Sequence, residues 1–303
     1  MVELQVPRWE WWIVVYFFVG GIAGGAYFIA SVVELVGAPE DRPIARMGYT
    51  LAFPLVLVCG VCLIADLGRP ERFLNMIFNA SPVTPGLFSL KMDSPISVGA
   101  YGLLGFGVFS FLSFVDMLVE TGKLPWAPLR AKYSGAPRMI YSVVGSVFGL
   151  FLAAYTGVLL AHAQMPAWAD TPLLGGLFVA SGASTGAAAI ALGLALTGVG
   201  LGDGWRKLKL TDSVAIILEI VILVVLLVVL GAAAAPLLRG INGVLLLGVT
   251  LLLGLLVPLG LQFRASFQGG KTSRNITMLS AGLILLGGFV IRMVIVLAPQ
   301  GYL

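Results

Sequence analysis

The sequence predicts an all-α integral membrane protein with eight transmembrane helices. Of its 303 residues, 59% are hydrophobic and only 11% are charged, whereas soluble domains carry about 25% charged residues. The mean hydropathy is +1.03. Eight stretches reach the roughly 20 apolar residues that a bilayer crossing needs. They lack the period-two alternation of outer-membrane strands, so a β-barrel is excluded.

Each apolar stretch is expected to be a helix, because backbone groups in lipid must bond one another. The predicted spans 1 to 8 are approximately Trp11–Val36, Ile44–Leu67, Ser97–Val119, Met139–Ala161, Leu173–Leu194, Ser213–Ala233, Asn242–Gln262 and Thr277–Ala298. A nearly uncharged loop at Ala163–Pro172 separates spans 4 and 5. We therefore expect one four-helix unit in residues 1–165 and a second in residues 166–303.

Lys and Arg are distributed unevenly between the two sides of the membrane. Twelve of the 18 lie in loops opposite the N-terminus, five lie on the N-terminal side, and Arg292 lies inside span 8. Because cytoplasmic loops carry the excess of basic residues, both termini are expected to face outward from the cytoplasmic (inner) membrane. Span 1 is too long for the core of a signal peptide and is expected to remain as an anchor. The basic residues form no run that indicates nucleic-acid binding.

Cysteine and histidine are scarce, which excludes several redox groups. Cys59 and Cys62 are the only cysteines, too few for an iron–sulfur cluster. They are expected to be small core residues. His162 is the only histidine, whereas a bis-histidine haem needs two imidazoles. We therefore expect this protein to carry no haem, no iron–sulfur cluster and no metal site.

A cluster of charged residues stands at the exit of span 2, where Asp66 and Arg69 are three residues apart. Charges at a membrane edge are costly and usually functional. Tyr155 and His162 are seven residues apart on one face of span 4, with Tyr155 about 10 Å deeper. These four residues are expected to converge on a pocket that faces outward. Tyr155 and His162 offer hydrogen-bond donors to quinone carbonyls, and Asp66 offers a proton relay. The alternative is an interfacial Tyr/His belt beside a structural Asp66–Arg69 pair.

Two charged residues lie deeper in the membrane. Glu219 is expected two turns into span 6, where a carboxylate is protonated, paired, or part of a proton route. Asp212 at the same end is its expected relay partner. Arg292 lies nearer the N-terminal side, too far for an obvious direct pair with Glu219 and placed to neutralise Asp66 or a reduced quinone. The acidic residues near the span ends opposite the N-terminus are expected to be solvated at headgroup level: Glu34, Asp116, Glu120 and Asp212.

These motifs resemble the NrfD family, the membrane subunits of polysulfide-reductase-type complexes. The resemblance covers nearly the whole sequence, and Asp66-Leu67-Gly68-Arg69-Pro70 is its most specific part. The other matching segments are Trp11–Ala30 with its paired glycines, Ala154-Tyr155-Thr156-Gly157, Ser181-Gly182-Ala183-Ser184-Thr185-Gly186-Ala187 and Gly287-Gly288-Phe289-Val290-Ile291-Arg292. The family's span-4 tyrosine corresponds to Tyr155, and its span-2 acidic residue and arginine correspond to Asp66 and Arg69. Where some members place Asn and His near span 1, this sequence has Trp9-Glu10-Trp11-Trp12.

The resemblance implies two four-helix bundles and a site for menaquinone or ubiquinone on the outer face. It also implies a ferredoxin-like iron–sulfur subunit docked there, with a molybdopterin or multihaem catalytic subunit beyond it. We therefore expect a quinone-handling membrane subunit of a respiratory oxidoreductase complex. Two alternatives remain: a secondary transporter that binds substrate at Glu219 and Arg292, and a passive membrane anchor.

Overall fold

Eight long helices cross the molecule in the computed structural model, which describes residues 9–80, 88–90, 94–124, 135–163, 165–199, 204–267 and 273–302. All eight are long and apolar enough to span a membrane, which confirms the predicted fold class. We name them α1 Trp11–Val36, α2 Arg42–Asp66, α3 Pro95–Glu120, α4 Ala136–Ala161, α5 Leu173–Thr197, α6 Gly204–Leu230, α7 (residues 240–267) and α8 Arg274–Leu297. Within α7, the α-helical Gly240–Gly243 is followed by the π-helical Val244–Leu256 and the α-helical Val257–Phe267.

The largest error in the predicted boundaries concerns α6, which begins at Gly204 and not near Ser213. Its first turns carry Arg206, Lys207 and Lys209, which lower the local hydropathy. Leu208 and Asp212 nevertheless continue the buried face of the helix, so the backbone stays helical. Glu219 therefore lies about four turns from the start of α6 and not two.

Short elements connect the long helices. A 3-10 turn, Pro39–Asp41, precedes α2, and a 3-10 helix, Pro70–Met76, follows it. An unpredicted antiparallel hairpin joins β1 Phe78–Ala80 to β2 Phe88–Leu90. Gly231–Ala234 and Ala235–Leu238 extend α6 as two short helices.

Helices α1, α5 and α8 occupy the centre of the molecule. In the most apolar 18-residue stretch of each helix, the buried share is 78% for α1, 67% for α5 and 72% for α8. The corresponding share is at most 44% for the other helices. Glycines explain how α1 and α5 approach so closely. A Cβ at Gly25 would overlap the carbonyl of Gly182, and a Cβ at Gly186 would overlap the backbone of Gly25 and Ala26. Small residues spaced four apart allow helices to approach this closely.

Helices α1 to α4 pack around one another, and α5 packs against α6 and α8 while α8 packs against α7. Contacts of α5 with α1 and α4 join the two groups. On one side of the membrane, Lys207 of α6 pairs with the buried Asp41 at 2.5 Å. The exact division at residues 165 and 166 stays a prediction.

Both ends of the described polypeptide lie side by side, as an even number of crossings requires. The side chain of Gln300 accepts a hydrogen bond from Trp9 N at 2.8 Å and donates one to Trp9 O at 3.0 Å. The ring of Trp9 stacks on Trp168, with centroids 5.3 Å apart, and Trp168 donates its indole N–H to the Ile295 carbonyl. This cluster fixes the N-terminal segment over α8, and we call its face the N-terminal side.

Candidate functional site

A cavity of about 600 Å³ lies on the N-terminal side, between the end of α2, the 3-10 helix Pro70–Met76 and the start of α3. This volume lies within the range of small-molecule sites, which is about 300–1,000 Å³. Both polar and apolar groups line the wall. The lining residues are Leu67, Gly68, Arg69, Arg72, Asn75, Met76, Ser94, Ile96 and Ser97. The two arginines carry fixed positive charge, and Asn75 and the serines add neutral hydrogen-bonding groups.

Tyr155 stands behind one wall of this cavity. Its side chain is only 8% exposed, and its hydroxyl donates a hydrogen bond to the carbonyl of Pro95. The residues on either side of Pro95 line the cavity. The ring stacks on Phe151 and packs against Gly99, where a Cβ would overlap it. The start of α3 therefore lies between Tyr155 and the cavity.

Asp66 and Arg69 do not form a salt bridge, so the alternative of a structural Asp66–Arg69 pair is not seen. Among the described residues, Asp66 has no salt bridge, and Arg69 is exposed at the cavity. The carboxylate of Asp66 is instead close enough to Glu10 for electrostatic repulsion. Two acidic groups thus lie near each other on the N-terminal side, one just before α1 and one at the end of α2.

His162 lies apart from Asp66, Arg69 and Tyr155. It is exposed at the end of α4, and its Nδ1 lies 2.9 Å from the carbonyl of Val158, one turn back on the same helix. In the described part of the protein, no hydrogen bond joins it to Asp66, Arg69 or Tyr155. Convergence of all four residues is therefore seen only in part: Arg69 lines the cavity, and Tyr155 lies behind its wall.

Arg292 and Glu219 are fully enclosed in the second half of the protein, with exposures of 0% and 1%. Arg292 donates to Ser181 Oγ at 2.9 Å, to the Gly288 carbonyl at 2.8 Å and to the Phe178 carbonyl at 3.4 Å. Ser184 donates to Glu219 at 2.7 Å and to the Ser181 carbonyl at 3.1 Å. Two serines of α5 therefore link the guanidinium to the carboxylate.

Among the described residues Arg292 makes no direct pair with Glu219, as expected, but it bonds groups of α5 and does not serve Asp66. The side chain of arginine is long, and it extends to the α5 serines rather than toward α2. Around the guanidinium lie Gly21 of α1 and the ring of Phe178, whose centroid is 5.2 Å away. Arg292 and Glu219 therefore belong to one buried network, with no direct ion pair between them among the described residues.

Asp212 lies on the same helix as Glu219, toward the side opposite the N-terminus. It is 6% exposed and accepts a hydrogen bond from Gln262 at 2.5 Å, and Ser213 donates to the same amide. A cavity of about 40 Å³ lies beside it, lined also by Lys209 and Ser280. This space is enough for ordered water. Oδ1 of Asp212 and Oε1 of Glu219 have no hydrogen-bond partner among the described residues, and water commonly satisfies such groups.

The other acidic residues on this side are not solvated, contrary to expectation. Glu34, Asp116 and Glu120 form an ion cluster with arginines from α2 and α4. Arg138 lies 3.2 Å from Glu34, 3.0 Å from Asp116 and 2.7 Å from Glu120, and Arg42 pairs with Glu34 and Glu120. The cluster holds together the ends of α1, α2, α3 and α4. Charge spacing in the sequence does not reveal it because its members come from four separate helices.

Sequence reasoning also missed residues that shape the N-terminal side. Arg72, Asn75 and Ser94 enter the cavity only because the 3-10 helix Pro70–Met76 folds against α3. Tyr16 of α1 is buried near Tyr155 and Cys59. The two cysteines are buried and free, as expected. Among the described residues, no group of three or more His, Cys, Asp or Glu is arranged to hold a metal ion.

Residues 4–303 match the family described as "Polysulphide reductase, NrfD". The chain belongs to the NrfD family. The C subunit of polysulfide reductase from Wolinella succinogenes is 28% identical, in an alignment that covers 97% of this sequence and 95% of that protein. The NrfD homolog of Haemophilus influenzae is 27% identical, with 96% and 94% covered. This NrfD protein is accordingly a multi-pass membrane subunit of an oxidoreductase complex, and the predicted family is confirmed.

Proposed function

We propose that this protein is the quinone-binding membrane subunit of a respiratory oxidoreductase complex. It exchanges electrons between membrane quinone or quinol, either menaquinone or ubiquinone, and an iron–sulfur cluster in a partner subunit on the N-terminal side. The observation that carries this proposal is the 600 Å³ cavity, which combines arginine, amide and hydroxyl groups with apolar walls at the membrane edge. A quinone head group needs this combination, because its ring is apolar and its two carbonyls accept hydrogen bonds.

The residues around the cavity are assigned different roles in quinone binding and proton transfer. Arg69 and Arg72 are positioned to donate hydrogen bonds to a carbonyl and to stabilise negative charge on the reduced ring. Tyr155 is assigned to a quinone carbonyl: its hydroxyl, which donates to Pro95 behind the start of α3, donates to the quinone when that bond opens and this segment moves aside. Asp66 relays protons between the cavity and water, and His162 is the second proposed hydrogen-bond donor to a quinone carbonyl.

Asp212 and Glu219 are assigned to proton movement from the opposite side. The support is that Asp212 and Glu219 are buried seven residues apart on one face of α6, with the 40 Å³ cavity at Asp212 and Ser184 bonded to Glu219. The competing interpretation is a neutral structural carboxyl held by Ser184. The two differ in whether Glu219 exchanges protons with water.

The proposed assembly places the NrfD subunit in the cytoplasmic membrane with both termini outward. A ferredoxin-like iron–sulfur subunit docks on the N-terminal side, and a molybdopterin or multihaem catalytic subunit lies beyond it. The exposed Trp11, Trp12, Phe73 and Leu74 on that side offer apolar surface for such contacts. Electrons pass between the quinone and the partner's cluster, since one histidine leaves this subunit without the ligands for a bis-histidine haem.

The transporter and passive-anchor alternatives differ from this proposal in what purifies with the protein. A transporter isolates alone, a passive anchor brings an iron–sulfur protein without quinone, and the proposed subunit brings both. Both terminal nitrogens of Arg292 already bond protein groups, which disfavours a substrate there. Family membership also favours the oxidoreductase subunit.

Substitution of Tyr155 by Phe tests the proposed site. It removes one hydroxyl and keeps the ring on Gly99, so packing is preserved. Loss of one hydrogen bond of about 1 kcal/mol weakens quinone binding several-fold. The matched control is Tyr49→Phe, since Tyr49 is also buried and bonded through its hydroxyl but lies near the ion cluster. Equal quinone dissociation constants for wild type and Tyr155→Phe, measured in the purified complex, would reject the assignment.

A further inference from the structure

An apolar groove of about 510 Å³ runs along the lipid-facing side of the molecule between α2 and α3. Every residue that lines it is apolar or glycine: Phe53, Val56, Leu57, Gly60, Val61, Ile64, Leu103, Leu104, Gly107, Val108 and Phe111. From Phe53 to Ile64 the groove follows α2 for roughly 16 Å at about 1.5 Å per residue.

Two glycines open this groove, one on each helix. A Cβ at Gly60 would meet no atom within 4 Å, and one at Gly107 would meet only Val56 Cγ1, at 3.6 Å. The packing glycines behave differently, because Cβ atoms at Gly25 and Gly186 would overlap a neighbouring helix. Gly60 and Gly107 are therefore not needed for close helix contact. Their missing side chains leave space between α2 and α3.

The groove leads to the candidate head-group cavity. Ile64 lies at the top of the groove, and Leu67, three residues further on α2, lines the cavity. On α3, Ser97 lines the cavity and Leu104, seven residues later, lines the groove. Residues three, four and seven apart share a helix face. The cavity and the groove are thus successive parts of the same two helix faces, one polar at the membrane edge and one apolar in the bilayer.

We infer that the groove holds the isoprenoid tail of the quinone whose head group occupies the cavity. This inference rests on the proposed quinone function and adds a second subsite to it. A prenyl tail is apolar, flexible and attached to the ring, so a channel that starts at the cavity and continues into the lipid matches its shape. Binding of the tail contributes affinity by burial of methylene groups, and the groove also gives the quinone a path from the membrane.

Filling the groove tests the inference. Gly60→Leu and Gly107→Leu each add a side chain in open space, so they are expected to fold. The matched controls are Gly260→Leu and Gly282→Leu, because a Cβ at either glycine also meets no atom within 4 Å and neither lies in the groove. Dissociation constants are measured in the detergent-solubilised native complex for two quinones with the same ring. One carries a long prenyl tail, and the other a short alkyl group.

The groove variants are expected to bind the long-tailed quinone about tenfold more weakly, which corresponds to burying about two fewer methylene groups. Their affinity for the short-tailed quinone, and both affinities of the control variants, should match wild type. Unchanged binding of the long-tailed quinone, or equal losses for both quinones, would overturn the tail subsite. Loss of copurifying phospholipid with unchanged quinone binding would assign the groove to a lipid tail and also overturn it. If the wild-type complex binds neither quinone, the proposed function itself fails.

Discussion

Gly21 of α1 lies directly against the guanidinium of Arg292 in α8, where an added Cβ would come within 2.5 Å of Nη2 and 3.2 Å of Cζ. The same guanidinium is fixed by Ser181 and two backbone carbonyls. A glycine in the first half of the protein therefore makes room for a charged side chain that reaches it from α8. This contact ties the two halves of the protein together at a buried charge.

Gly21→Ala is expected to destabilise the protein, since the guanidinium cannot move without breaking its hydrogen bonds. Overpacking of this kind costs about 1–3 kcal/mol. Gly282→Ala is the control, because its Cβ enters open space. Thermal unfolding in detergent measures both. A Gly21→Ala protein as stable as the control would show that Arg292 adjusts freely.

Glu219→Gln is expected to keep quinone affinity and to lose proton uptake from the side opposite the N-terminus. The amide preserves shape and the bond with Ser184 but cannot exchange a proton as a carboxyl does. Proton uptake is followed with a pH-sensitive dye in reconstituted vesicles of the complex during quinone turnover. Full uptake by this variant would leave Glu219 with a structural role only.

The topology is testable by labelling single cysteines in intact cells. Tyr302 is 49% exposed, so Tyr302→Cys should react with a membrane-impermeant reagent if both termini face outward. Lys123→Cys, exposed on the opposite side, should react only after permeabilisation. The native Cys59 and Cys62 are buried and should give little background. The reverse pattern would move the proposed partner subunit to the other face.

The fold follows from the sequence because bilayer thickness dictates span length, and eight apolar stretches satisfy it. The paired glycines of α1 and α5 likewise predict close helix contacts. The predicted start of α6 is wrong because basic residues interrupt hydropathy without interrupting the helix. Glu219 and Arg292 are far apart in the sequence, so their shared network could not be predicted. The serines of α5 bring the two side chains together.

The candidate site is less predictable from the sequence than the fold. Arg69 at the cavity and Tyr155 near it can be predicted, because charged and aromatic groups at a membrane edge are informative without coordinates. Arg72, Asn75 and Ser94 depend on how a connecting segment folds over α3, which local pattern does not encode. The groove at Gly60 and Gly107 requires knowing which glycines face open space, and that is a property of helix packing.

The most direct test of the central claim is to locate a bound quinone head group. A quinone with a photoreactive azide on its ring is bound to the purified complex and illuminated, and labelled peptides are identified by mass spectrometry. The account predicts labels on residues 67–76 and 94–97, around the cavity of Arg69 and Arg72, and loss of these labels with excess unmodified quinone. Competable labelling near Glu219 and Arg292, with the cavity unlabelled, would contradict it.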